Sequence, residues 1–464
     1  MDRYLNLYLD RERAIGPKGS IIRLMRMLLF VHILIVSFQI PFRAIVLDTT
    51  YIRDILPFTI VFLLLGLVAI SGSFGIKRSY SLLEKLFFGY LLLGMLLVIF
   101  WLLEGIHVVD AFRVFRNHFF PVILFFIAKK TLASSYYRTT IVNIFFIIAL
   151  TLLLMSLVEY ILIKIIGYSP YVFPWNRDVF MTSERYIGNE GGGGYILPES
   201  SPILGLLGWP HATAATLMSL IAFCYPYIIK TTTNFTQSLS WIVRCPNWIG
   251  YSILVLTGVA IFFIFGVKMH MVTYIFVLLL LPFFTKGKNL RKNIIIALFL
   301  FIIVLNNNTF QSIIISKTIE GLEQINVNQA STLYSLIPAN PVADLVNRPI
   351  VNIFLGNWNY YYTGEIRLLT YTANLGLVWF FLFAGIFIVG FFYARKVISN
   401  RFVKPFDRLF AIGTIGLLSV CFLDMGHYAR VMTWPMIDML MVCLGGLVVI
   451  YDNHSKIKRR LQVL

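Results

Sequence analysis

The most informative stretch of this sequence runs from residue 348 to residue 381. It reads RPIVNIFLGNWNYYYTGEIRLLTYTANLGLVWFF, an aromatic, polar segment that ends in Glu365 and Arg367 and passes at once into an apolar run. The run is long enough to enter a membrane, so the two charges lie where a loop meets a bilayer surface and stay accessible to a substrate. The alternative is a pair of juxtamembrane charges that only fixes the depth of the helix.

The composition places the whole chain among membrane proteins. Of its 464 residues, 59% are hydrophobic and 13% are charged, whereas a soluble domain carries about 25% charged residues. The apolar runs are continuous rather than alternating, which predicts membrane-spanning helices and not a barrel. The formal net charge of +18 is concentrated in short loops. Membrane orientation and anionic lipid headgroups therefore explain it better than nucleic acid does.

Apolar runs recur along the entire sequence, and we count twelve of them. They fall near residues 27–47, 55–75, 86–103, 114–128, 139–163, 208–229, 250–266, 269–284, 293–305, 367–392, 409–424 and 433–450. Several are shorter than the ~20 residues of a full span and must include flanking residues. The sequence thus predicts an all-α, polytopic bundle of about twelve spans, which forms one integral membrane domain over residues 1–464.

The distribution of basic residues predicts how this bundle is oriented. With twelve spans, the two tails, 1–26 and 451–464, lie on the same side as five short loops, and together they hold 27 of the 39 lysines and arginines. Basic residues favour the cytoplasmic side, so both termini are expected in the cytoplasm. The two long segments, 164–207 and 306–366, are then external loops that cap the membrane part.

Arg113 and Arg116 are the first candidates for binding. They lie at the predicted outer end of the fourth span, and their spacing of three places both guanidinium groups on one face of a helix. Two such cations can hold a diphosphate through forked hydrogen bonds. The alternative is that they pair with Asp110 and extend toward lipid headgroups.

Two further groups of polar residues interrupt apolar sequence at the predicted outer surface. Lys268 and His270 divide an otherwise apolar stretch, which is typical of a functional site in a membrane protein, although a short outer turn would also explain them. The segment 424–430 combines an acid, an imidazole, a phenol and a guanidinium group, with His427, Tyr428 and Arg430 among them. Such a group suits acid–base chemistry or sugar binding, and an ordinary loop is the alternative.

Other ionisable residues and the cysteines point to structure rather than chemistry. Glu159 and Asp438 fall inside predicted spans, where we interpret them as buried structural groups rather than catalytic ones. The four cysteines imply no disulfide framework, because none lies in a predicted external segment. No cluster has the spacing of metal ligands, so no metal or other cofactor is expected.

The pattern resembles the superfamily of O-antigen polymerases and O-antigen ligases of bacterial inner membranes. The run Gly205-Leu-Leu-Gly208-Trp-Pro210-His211-Ala-Thr-Ala-Ala is similar to the family's glycine, proline, asparagine and alanine run, with His211 in place of the asparagine. Lys268 stands where the family usually has a serine–arginine pair. Glu365 lies eleven residues before Gly376, a position that ligases give to histidine, and this difference favours polymerase over ligase.

The resemblance implies a metal-independent glycosyl transfer at the external face of the inner membrane. The donor would be a glycan on undecaprenyl diphosphate and the acceptor a sugar hydroxyl of the next lipid-linked repeat unit. Glu365 and His427 are the catalytic candidates. The candidates for substrate binding are Arg113, Arg116, His211, Lys268, Arg348, Arg367, Tyr428 and Arg430. Expected partners are membrane lipids, a chain-length regulator and a flippase.

The sequence is also compatible with two other functions. A ligase would transfer finished polysaccharide to a lipid or protein acceptor. A transporter or flippase would also suit twelve spans, but the sequence shows no internal repeat, and its candidate charges gather at one face rather than at mid-membrane.

Overall fold

The structure is a computed structural model of the chain. It describes residues 16–38, 59, 80–166, 210–229, 246–265, 268–284, 290–305, 349–356, 367–400, 402–425 and 435–463. Every regular element within these residues is helical, as the continuous apolar runs predict. The helices are α1 Gly16–Ser37, α2 Leu82–Leu103, α3 Val108–His118, α4 Val122–Thr131, α5 Ser135–Ile166, α6 Pro210–Ile228, α7 Asn247–Val259, α8 Lys268–Phe284, α9 Leu290–Leu305, α10 Ile350–Leu355, α11 Arg367–Ser399, α12 Pro405–Asp424 and α13 Met436–Val463.

Eight helical stretches within the described residues are long and apolar enough to cross a membrane. They lie in α1, α2, α3 with α4, α5, α7 with the π-helical turn that follows it, α11, α12 and α13. Two shorter apolar helices, Ala212–Ile228 and His270–Phe284, accompany them. The second predicted run, 55–75, lies almost wholly outside the described residues, so the count of twelve stays a prediction.

The helices pack closely because small residues line their contacts. Where α12 crosses α6, a Cβ atom on Gly413 would overlap the carbonyl oxygen of Phe223, and one on Gly416 would lie 2.6 Å from the carbonyl oxygen of Ala222. Glycine therefore allows the two backbones to touch, which is the usual way that membrane helices gain packing energy. Both α6 and α12 are buried along most of their length, so this pair forms the centre of the bundle.

One end of the bundle is held by buried and half-buried ion pairs. Arg138 donates to Asp407 from Nε at 3.1 Å and from Nη2 at 2.7 Å, and its Nη1 donates to the carbonyl oxygen of Leu132. Lys129 lies 2.6 Å from Glu84 and 3.0 Å from Asp452. These ion pairs connect the beginnings of α2, α5 and α12 to the end of α4 and to α13. We call this end of the bundle the ion-pair end.

The antiparallel packing of the helices shows which helix ends lie at the opposite end of the bundle. Rings of Tyr227 and Phe406 lie 5.3 Å apart, as do rings of Phe223 and Phe410, so α6 begins where α12 ends. Helices α2 and α11 are also antiparallel, because Tyr393 accepts a hydrogen bond from the amide of Leu82 near the ion-pair end. The helix starts at 210 and 367 and the helix end at 424 therefore lie at the same end of the bundle, and the contact of His270 with Asp424 adds the start of α8 to it. We call this the site end.

Candidate functional site

The centre of the site end is a contact between His270 and Asp424. Nε2 of His270 lies 3.5 Å from Oδ1 of Asp424, and both side chains are almost completely buried. His270 is in the first turn of α8, and Asp424 is the last residue of α12. The sequence placed these residues in two separate candidate groups, and the fold brings one member of each group into contact across 154 positions of sequence.

Asp424 differs from its sequence prediction in one respect. It was expected in the last outer loop, but it belongs to α12, and Met425 continues the helical backbone with an amide that donates to the carbonyl oxygen of Cys421 at 3.2 Å. The helix extends this far because the residues before it are apolar and buried. As a result, the carboxylate lies inside the bundle rather than at its surface.

A backbone hydrogen bond adds the start of α11 to this group. The amide of Leu368 donates to the carbonyl oxygen of Met425 at 3.1 Å. An amide in the first turn of a helix has no partner within its own helix, so the end of α12 supplies one for α11. This hydrogen bond places the backbone at Arg367, the first residue of α11, beside the end of α12.

Helix α3 approaches the same region from another side. The ring of His118, at the end of α3, lies 5.1 Å from the ring of Tyr371, and the ring of Tyr371 lies 6.0 Å from that of Trp379. The indole of Trp379 donates to the hydroxyl of Tyr90 at 2.8 Å. A buried aromatic contact therefore connects α3, which carries the two candidate arginines, to the first turns of α11.

Arg113 and Arg116 both lie on α3, as the sequence predicts. Arg113 is 60% exposed and donates to Asp110 at 2.9 Å, which is the alternative that the sequence left open. Nε of Arg116 donates to the side chain of Asn117 at 3.2 Å. An exposed ion pair of this kind contributes little free energy of folding, so the guanidinium group of Arg113 can exchange Asp110 for a phosphate at small cost.

Two glycines in the stretch 348–381 form a close backbone contact beside this site. Gly356, directly after α10, has a φ of 73°, and Gly376, inside α11, has a φ of 86° with a ψ of 167°. A Cβ atom on Gly376 would lie 2.6 Å from the amide nitrogen of Gly356, and the reverse distance is also 2.6 Å. Only glycine at both positions allows this contact, which breaks α11 and fixes α10 against the break.

The other predicted site residues are described in part or not at all. His211, Lys268 and Arg367 lie in the first turns of α6, α8 and α11, and their side chains are outside the description. Glu365, His427, Tyr428, Arg430 and Arg348 lie outside the described residues. Their nearest described neighbours in sequence are Arg367, Met425 and Pro349.

Among the buried polar features that sequence reasoning missed are a histidine–aspartate pair and an asparagine. One is the pair His32–Asp438, in which Nε2 lies 2.9 Å from Oδ2; the sequence identified Asp438 as a buried structural group but offered no partner. The other is Asn374, which is 1% exposed and whose Oδ1 has no hydrogen-bond partner in the described structure. The sequence signal for this buried asparagine is its position two residues before Gly376, the glycine at which α11 breaks.

Metal ligation and similarity to known proteins give no further assignment. Within the described ranges, no group of three or more histidine, cysteine, aspartate or glutamate side chains could hold a metal ion. No protein-family model, no curated protein and no solved structure matches the chain. The arrangement of residues at the site end is therefore what any functional interpretation of this helical membrane protein depends on.

Proposed function

We propose that this protein joins lipid-linked oligosaccharide repeat units into a polysaccharide at the external face of a bacterial inner membrane. The donor is a glycan on undecaprenyl diphosphate, and the acceptor is a sugar hydroxyl of the next repeat unit. One observation carries the proposal. At one end of the bundle His270 contacts Asp424, and the amide of Leu368, next to Arg367, donates to the carbonyl oxygen of Met425. The start of α6, at 210–211, lies at the same end.

The chemistry of this transfer needs cations and a base at one place. As the new glycosidic bond forms, the bond from the anomeric carbon to the diphosphate breaks, and the electron pair leaves with the diphosphate. Preorganised cations stabilise that developing charge, a role for Arg113, Arg116, Lys268 and Arg367. Glu365 accepts the proton that the attacking hydroxyl releases.

The orientation of the chain is part of the proposal. Twelve spans with cytoplasmic termini would put the site end outside, where the lipid-linked substrate is presented after a flippase has moved it. The ion-pair end, with Lys129 and Arg138, would then face the cytoplasm, in agreement with the preference of basic residues for that side. The segments 164–207 and 306–366 would cover the site, and a chain-length regulator would bind nearby.

Deletion of the gene tests the reaction directly. We expect surface polysaccharide on a gel to collapse to single repeat units on the final acceptor, and the intact gene to restore the ladder. Accumulation of free lipid-linked polymer would instead indicate a ligase, and repeat units confined to the inner leaflet would indicate a flippase.

Substitution of Glu365 tests the base. Glu365→Gln keeps the size and hydrogen-bonding capacity of the side chain but removes the proton acceptor, a change worth about 10²–10⁴-fold in rate. Glu104→Gln, an exposed glutamate directly after α2, is the matched control and should polymerise normally. Parental polymerisation by a well-folded Glu365→Gln protein would move the base to His427 or His211.

A further inference from the structure

The proposed reaction does not use the contact between α2 and α11. The amide of Leu82 donates to the hydroxyl of Tyr393 at 3.0 Å, and the indole of Trp379 donates to the hydroxyl of Tyr90 at 2.8 Å. Leu82 and Tyr90 are about two turns of α2 apart. The two hydrogen bonds therefore hold the antiparallel helices side by side over that length.

Two glycines leave space along this contact. A Cβ atom on Gly89 would lie 3.6 Å from the side chain of Leu382, and one on Gly385 would lie 3.6 Å from the side chain of Leu86. These are ordinary van der Waals distances, so the packing of the two helices does not require glycine here, unlike at Gly413, where two backbones touch. Both glycines are also partly exposed. The contact line is therefore an open surface with a floor of backbone.

Large exposed apolar side chains stand on both sides of this floor. On α2 they follow Gly89 by three and seven positions, and on α11 they lie four before, three after and seven after Gly385, so they share the helix faces of the glycines. They are Leu92, Leu96, Phe381, Ile388 and Phe392. We call this surface the α2–α11 groove. Its width and apolar lining suit a hydrocarbon chain.

Two lysines continue the groove toward the ion-pair end. Lys85 lies four positions before Gly89 and Lys396 lies eleven after Gly385, and both are exposed. Side chains on a helix lean toward its N-terminus. Since α2 begins and α11 ends at the ion-pair end, Lys85 leans outward and Lys396 leans back, where its Nζ lies 4.3 Å from the centroid of the Phe392 ring. The two ammonium groups therefore converge toward one level of the bundle.

The carboxylates of this region are engaged elsewhere. Glu84 and Asp452 both bind Lys129. Across the described ranges, neither Lys85 nor Lys396 forms an ion pair with a carboxylate. Two uncompensated ammonium groups at the end of an apolar groove attract an anionic headgroup, so the occupant that fits has a negatively charged head and an apolar tail.

We propose that the α2–α11 groove binds an anionic phospholipid, with its phosphate at Lys85 and Lys396 and an acyl chain along Gly89 and Gly385. A zwitterionic lipid fits less well because its own cation is repelled by the lysines. A second copy of the chain also fits less well. Copies in one membrane share their orientation, so a two-fold contact through this face would set the lysines of one copy against those of the other. The cations of the groove lie at the ion-pair end and the proposed transfer at the site end, so this binding site does not depend on the proposed function.

Photo-crosslinking of a lipid probe to the full-length protein tests this site. The protein is reconstituted in phosphatidylcholine nanodiscs with a trace of phosphatidylglycerol that carries a photoreactive group in its acyl chain, and mass spectrometry identifies the crosslinked peptides. We expect crosslinks in α2 and α11, and a much lower yield with a phosphatidylcholine probe of the same acyl chain. Lys85→Gln with Lys396→Gln should lower the phosphatidylglycerol yield about 25-fold, because each basic residue favours an anionic lipid about fivefold.

Two matched double variants separate the role of these charges from other effects. Arg291→Gln with Lys292→Gln removes the same charge at the start of α9, where Nζ of Lys292 lies 5.0 Å from the centroid of the Tyr251 ring, and should leave the crosslinks to α2 and α11 unchanged. Lys85→Arg with Lys396→Arg keeps both charges and should crosslink as the parent does.

Several results would each overturn the assignment. They are equal crosslinking of the two probes in the parent, parental crosslinking in Lys85→Gln with Lys396→Gln, an equal loss in Arg291→Gln with Lys292→Gln, and a loss in Lys85→Arg with Lys396→Arg. Crosslinks between two protein chains through α2 and α11 that exclude the probe would assign the groove to a second copy instead.

Discussion

Replacement of Gly376 by alanine is the sharpest test of the contact that breaks α11. With a φ of 86° and a ψ of 167°, Gly376 occupies a region of backbone space that costs other residues about 1–3 kcal/mol. The new methyl group would also overlap the carbonyl oxygen of Phe354 and lie 2.6 Å from the amide nitrogen of Gly356. Overpacking of this kind costs about 1–3 kcal/mol more, so the total is about 2–6 kcal/mol.

Two other glycines separate the contributions to this cost. Gly105 also has a positive φ, 83°, but an added Cβ meets nothing within 4 Å, so Gly105→Ala should show the cost of a positive φ without any overlap. Gly385 lies in the helical part of α11, where an added Cβ would be 3.6 Å from Leu86. Gly385→Ala should be neutral or should stabilise the protein by up to about 1 kcal/mol, because alanine favours the helix.

The measurement is the thermal unfolding midpoint of the purified variants in one detergent. We expect the midpoint to be lowest for Gly376→Ala, intermediate for Gly105→Ala, and equal to or above the parent for Gly385→Ala. If Gly376→Ala and Gly105→Ala lower the midpoint equally, α10 does not pack against the break, and the backbone contact between Gly356 and Gly376 does not form.

Three further predictions concern the ion pairs, the arginines of α3 and the orientation. Asp407→Asn leaves the buried guanidinium group of Arg138 without its counter-charge and should cost about 3–5 kcal/mol of folding free energy. Asp110→Asn breaks an exposed pair and should cost at most about 1 kcal/mol. Chemical denaturation measures both. The double variant Arg113→Lys with Arg116→Lys keeps both charges but loses the forked geometry, so polymer on a gel should fall sharply at unchanged protein level. Ser335→Cys should react with an impermeant thiol reagent on intact cells, and labelling only after lysis would reverse the orientation.

The helical class was predictable because it depends on hydrophobicity alone. Continuous apolar runs leave no room for strands, and the helices of the structure lie where described runs were expected. The break at Gly376 was not predictable in the same way, since the apolar run continues through it and hydrophobicity does not register backbone geometry. The break exists because the chain at Gly356 packs against it, and a contact between two backbones leaves little trace in the pattern of side chains.

The candidate site was predictable in its parts but not in its assembly. Lys268 with His270, and Asp424 with the residues after it, stood out because ionisable groups are rare in apolar sequence. Their contact depends on how α8 packs against α12, which no local pattern specifies. Asp438 shows the same limit, because its sequence neighbours suggested a buried group, whereas its partner, His32, lies on the first described helix.

The wide sequence separation of the buried pairs has a consequence for how the protein is made. His32 and Asp438 are 406 positions apart, and Arg138 and Asp407 are 269 positions apart. At a synthesis rate of about 5–20 residues per second, His32 leaves the ribosome about 20–80 s before the carboxylate that binds it has been made. During that interval the insertion machinery or lipid headgroups must accommodate a histidine and an arginine that will later be buried. The first helices therefore reach their final arrangement only after α12 and α13 have been inserted, and a chain truncated before residue 405 would be a substrate for membrane quality control.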